Sequence, residues 1–97
     1  MAGQIRVTPA ELYEMSQQYS SESAAVNDQI GRLNGMIDFL RGAWEGASSE
    51  AFAAQYEELK PSFIKMGELL QDVSTQLHNA GKVLEDTDNQ IASQIRG

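Results

Sequence analysis

Apolar residues recur every seven positions through the first half of the chain, at Leu12, Tyr19, Val26, Leu33 and Leu40, with Ile30, Ile37 and Trp44 each four residues after a member of that stripe. Such a period predicts an α-helix with one apolar flank. Ahead of it, Thr8-Pro9-Ala10-Glu11 provides an N-cap, a proline at the first helical position and a capping-box glutamate, so helix one is expected over about residues 8–43, after a short arm at 1–7. Ser16 and Ser23 hold the positions equivalent to Ile30 and Ile37. Small residues permit close approach but bury little apolar surface, so this half of the helix is expected to be looser or to face a different neighbour.

The second half is more regular. Phe52, Tyr56, Leu59, Phe63, Met66, Leu70, Val73, Leu77, Ala80, Leu84, Thr87 and Ile91 alternate spacings of four and three, and only Thr87 is polar. A second helix is expected over about 48–94, starting near Ser48 or Ser49, with Glu50 beside the positive end of the helix dipole. Gly67 and Gly81 each cost about 1 kcal/mol relative to alanine in a helix interior. Pro61 removes one backbone hydrogen bond, and the unbroken heptad phase predicts a kink near 57–61 rather than a break.

Between the two stretches, almost at the midpoint, stands Trp44-Glu45-Gly46. Glycine supplies a permissive backbone and the single tryptophan can fill the end of an interhelical seam, so the triplet reads as the bend of an antiparallel hairpin. The indole has a second reading as an exposed recognition element, since loop aromatics are enriched in binding hot spots. The 97 residues then form one all-α domain of two helices. Helices of roughly 35 and 45 residues are rods of about 50–65 Å, and a hairpin of two rods hides only the seam between them. A wider apolar stripe predicts a partner chain. The residues expected to form this core and dimer stripe are Val26, Ile30, Leu33, Ile37, Leu40, Phe52, Tyr56, Leu59, Phe63, Met66, Leu70 and Val73.

Charge narrows the partners. With 14 acidic and 7 basic side chains the net charge is −7, which opposes the phosphate neutralisation that drives binding to nucleic acid and to anionic lipid. Neither nucleic acid nor stable membrane insertion is expected, and a hairpin that opens to insert its helices would need acid to do so. The opening residues lack the apolar run of a secretory leader, so any export is expected to use a route without a cleavable signal.

Catalysis is disfavoured by inventory. There is no cysteine, His78 is the sole imidazole, and no nucleophile elbow, phosphate loop or metalloprotease spacing occurs. His78 follows the stripe residue Leu77 and reads as a solvated side chain, because a metal site needs several converging ligands. The pairs Glu57 with Glu58 and Asp86 with Asp88 read as solvated faces, since neighbouring helical residues do not converge. The run Ser20-Ser21-Glu22-Ser23 lacks an activating base. No enzyme activity, cofactor or metal is expected.

A chain of this length with Trp44-x-Gly46 midway between two amphipathic helices resembles the WXG-motif family of small type VII (ESX) secretion substrates. The resemblance covers the whole chain. It implies hairpins that dimerise antiparallel into four-helix bundles, commonly homodimers in Gram-positive bacteria. It also implies a C-terminal pattern matched by Leu84, Asp88, Ile91 and Ile95, an acidic side chain beside a short apolar strip that another protein could grip. Related substrates often carry a Tyr-x-x-x-Asp/Glu signal near the C-terminus, whereas the tyrosines here are Tyr13, Tyr19 and Tyr56, and Leu84 with Asp88 is the nearest equivalent. The expected function is that of a non-enzymatic homodimer, exported folded from a cytoplasmic pool and recognised by the membrane ATPase of the secretion machine, with larger co-secreted substrates as further partners. The rival is a cytosolic helical adaptor or chaperone for a larger toxin-like protein.

Overall fold

The computed structural model describes residues 7–43 and 46–96, and among them there are two helices and no strand. Helix α1 spans Pro9–Ala43 and α2 spans Ala47–Arg96. The start of α1 is fixed as the capping motif dictates: the Thr8 N–H donates to Glu11 Oε1 at 2.9 Å, and the Glu11 N–H donates to Thr8 Oγ1 at 3.1 Å. Helix α2 runs unbroken through Pro61, which is exposed on its surface. Gly46 opens α2 from a φ of 122°, a left-handed backbone that side chains with a Cβ rarely adopt. Trp44, and with it the expected plug of the bend, lies outside the described residues.

The helices lie antiparallel in a rod of 77 × 24 × 17 Å. Toward the open end their seam is made of small residues, and only near the bend does the large stripe enter it. On α1 the buried positions are Ser16, Ser23, Ile30 and Ile37, one every seven residues. Facing them on α2 are Ala53, Tyr56, Gly67, Ser74 and Gly81. Ser16 Oγ donates to the Ser74 carbonyl at 2.8 Å and Ser74 Oγ donates to the Ser16 carbonyl at 2.7 Å, while Ser23 Oγ donates to the Gly67 carbonyl at 2.7 Å. A hydroxyl on a methylene reaches the opposite backbone only when the helices are close. The two glycines on α2 make the same point: a Cβ on Gly81 would stand 2.9 Å from the Tyr13 ring, and one on Gly67 would stand 3.1 Å from Asn27 Oδ1.

The expectation of a looser N-terminal half is therefore corrected. Ser16 and Ser23 are 6 % exposed, as deeply placed as Ile30 and Ile37 at 8 and 7 %. Hydrogen bonds across the seam replace apolar burial there, each contributing about 1 kcal/mol. Toward the bend the seam turns apolar, with Ile37, Ala53 and Tyr56 clustered and Leu33 packed against them. Tyr56 closes this segment by donating its hydroxyl hydrogen to Asn34 Oδ1 at 2.7 Å.

Candidate docking surface

Small residues along much of the seam leave Phe52, Leu59, Phe63 and Met66 outside it. Three hollows follow one another along a single flank of the rod. Near the bend, Leu33, Phe52, Gln55, Tyr56, Leu59 and Phe63 line the first. At mid-length Val26, Gln29, Ile30, Leu33, Phe63 and Met66 line the second. At the open end, Val7, Leu12, Ala80, Val83, Leu84 and Thr87 surround the third, a hollow of about 600 Å³. None of these side chains is charged.

The stripe expected from the sequence divides accordingly. Ile30, Ile37 and Tyr56 are buried within the chain, Val26, Leu33, Leu40, Leu70 and Val73 are half-buried, and Phe52, Leu59, Phe63 and Met66 are exposed. Exposure of 46 % for Phe52 and 51 % for Met66 in a row of such residues exceeds what scattered surface apolars require. Met36 and Phe39 extend the apolar surface around α1, beside Arg32, Gly35 and Leu40. Met36 stands three residues after Leu33 and Phe39 three after Met36, a helical spacing that signals both and that the strict seven-residue repeat omits.

The C-terminal motif is differently placed. With 50 residues against 35, α2 outruns α1 by a length of about 22 Å. Leu84 is half-buried in the open-end hollow, whereas Asp88, Ile91 and Ile95 are exposed beyond it, Ile95 at 80 %. Gly46 is exposed at the opposite end of the rod, so the two expected recognition elements are not brought together within one chain.

At the open end a polar contact ties the helices. The Tyr13 hydroxyl donates to Glu85 Oε1 at 3.0 Å, and the Tyr13 ring lies 5.1 Å from that of His78 at an interplanar angle of 45°. Partial burial, the hydrogen bond to Glu85 and the charges of Glu85 and Asp86 raise the phenol above its ordinary 10.0. This is a clasp between elements and has no acid or base poised on a pocket. Among the described residues no group of three or more His, Asp or Glu side chains could hold a metal ion, and no helix is long and apolar enough to cross a membrane. What the arrangement offers is a long uncharged surface for another helical protein.

The family described as WXG100, proteins of 100 residues with WXG, matches residues 4–89. The chain is 63% identical over 97 residues to protein YukE of Bacillus subtilis, covering 100% of both chains. It is 25% identical over 91 residues to type VII secretion system extracellular protein A of Staphylococcus aureus, covering 94% of each. Its fold is similar to the crystal structure of EsxA from Geobacillus thermodenitrificans, with a TM-score of 0.88 and 58% identity over 94% of this chain and 100% of that one.

Proposed function

The chain belongs to the WXG100 family, and we propose on that premise that it is a small substrate or component of a type VII secretion system, exported as a folded homodimer and recognised by the membrane ATPase of the machine. It is not an enzyme. Its relatives are small proteins of a secretion system, and its chemistry is that of surfaces.

One observation carries the dimer: a charge-free apolar flank runs the length of the hairpin and stays exposed in the single chain. Pairing such flanks builds a four-helix bundle whose core is the stripe from Val26 to Val73. In an antiparallel pair, the Trp44-x-Gly46 bend of one copy stands at the end where Leu84, Asp88, Ile91 and Ile95 of the other project. The resulting composite surface, contributed by two chains, is what the ATPase reads. That arrangement accounts for an export motif without a terminal tyrosine, since the bend of the second copy supplies the aromatic. The protein would leave from a cytoplasmic pool.

The test is secretion of Trp44→Ala and Asp88→Ala variants from a host with the matching machine, alongside sedimentation of both purified proteins. Loss of secretion with dimers intact is the expected result. Normal secretion of both variants would refute the recognition surface. Failure of the wild type to leave the cell would favour the cytosolic adaptor.

A further inference from the structure

The open-end hollow differs from the other two in one respect: part of its wall comes from outside the helices. Val7, which precedes the start of α1 at Pro9, lines it together with Leu12, Ala80, Val83, Leu84 and Thr87. Whatever path residues 1–6 take, it ends in this hollow. We propose that this segment, Met1-Ala2-Gly3-Gln4-Ile5-Arg6, is a strap that lies along the overhang of α2, with Ile5 against Leu84, Thr87 and Ile91 and Arg6 beside Asp88, covering the export segment of its own chain. The contact is argued without the export reading, whereas the covering of a signal rests on it.

Length and pattern fit the strap to the overhang. Six residues in extended form reach about 20 Å from Val7, and α2 outruns α1 by about 22 Å. Alternate side chains of an extended backbone share a face. Ile5 therefore falls on the side of Val7, and Gln4 and Arg6 fall on the other. The apolar side of the strap meets an apolar strip that α1 is too short to reach, where Val83 is 66 % and Ile91 50 % exposed. The hydroxyl of the hollow, Thr87 Oγ1, already donates to the Val83 carbonyl at 2.9 Å, so an apolar occupant leaves no donor unpaired there.

Charge agrees with the same occupant. From Val83 to Gln94 the overhang carries Glu85, Asp86 and Asp88 and no base, and Arg6 is the only charged side chain ahead of Glu11. An exposed pair of this kind adds little strength, and its contribution is to orient the strap toward the acidic side of α2. Strength comes from attachment. A segment tethered at Val7 is held near the hollow at an effective concentration on the order of mM, so a contact too weak to hold a free peptide still forms. Resting on one isoleucine and one arginine, the strap is also readily displaced by a partner that grips Leu84, Asp88, Ile91 and Ile95 together.

The sequence has no cysteine, so a spin label can be placed through Ala2→Cys alone. Paramagnetic broadening is expected to be strongest over residues 91–95, weaker over the first turn of α1, and largely lost from 91–95 when the labelled chain also carries Ile5→Asp. In a mixture of labelled chains without nitrogen-15 and unlabelled chains with it, broadening over 91–95 should be absent, because the strap belongs to the chain it covers. Equal broadening of both regions, persistence with Ile5→Asp, or broadening in the mixture would each overturn the strap. Ile5→Asp should also be exported at or above the wild-type level from a host with the matching machine. A fall in export of a folded dimer would overturn the covering of a signal and leave the contact. Failure of the wild type to be exported would overturn the covering together with the reading it rests on, while the broadening pattern judges the contact alone.

Discussion

Ser16 and Ser74 exchange hydrogen bonds: the hydroxyl of each donates to the backbone carbonyl of the other, with the two oxygens 3.2 Å apart. Each serine thus joins its helix to the opposite one at a point where leucine would have held the helices apart. Ser74→Ala removes one of the two donors and should cost about 1 kcal/mol, whereas Ser74→Leu should cost about 2–3 kcal/mol through overpacking. Thermal unfolding of both variants, read by circular dichroism, checks the order. A leucine variant as stable as wild type would refute a close seam.

Gly46 carries its backbone at a φ of 122° with nothing within 4 Å of a built Cβ. Gly46→Ala therefore meets no steric neighbour and should still destabilise by about 1–2 kcal/mol, through backbone strain alone. Denaturant unfolding measures this, and an unchanged midpoint would contradict the left-handed turn.

Thr8 and Glu11 satisfy each other's amides at the start of α1. Thr8→Ala should cost about 1 kcal/mol and, more specifically, speed hydrogen exchange in the first turn while leaving exchange near Ile30 unaltered. A uniform change along α1 would mean that the cap is coupled to the whole rod.

Tyr13 has a pKa raised by partial burial, by its hydrogen bond to Glu85 and by the charges of Glu85 and Asp86. Because the folded value lies above the unfolded one, the contribution of the clasp is fully present below the unfolded pKa. It is lost as pH rises through the folded value, in the alkaline range. Glu85→Gln should lower the phenol's titration, as followed by ultraviolet difference absorbance. An unchanged titration would show that Glu85 has little influence on the ring.

The helices and their order were legible because the apolar period and the capping motif at Thr8 to Glu11 act locally. The partition of the stripe was not legible. Phe52, Leu59 and Met66 look the same in sequence whether they face α1 or a second chain, and that choice depends on how closely the helices approach. Ser16, Ser23, Gly67, Ser74 and Gly81 set that approach. In a hydrophobic pattern such residues register as interruptions, and Gly67 and Gly81 as defects. Their meaning emerges only when the two helices are laid side by side, with Ser16 level with Ser74 and Ser23 level with Gly67. The exposed placement of Asp88, Ile91 and Ile95 also required the measured lengths, since the overhang is the difference between two helices.

Seen end-on, the molecule measures only 24 × 17 Å, close to the girth of two helices lying abreast at about 10–12 Å each. Any aperture that admits that outline admits the folded chain lengthwise, whatever its 77 Å of length. For the folded homodimer proposed above the aperture has to admit two such outlines side by side, and the hydrogen bonds between the helices of each can stay closed throughout.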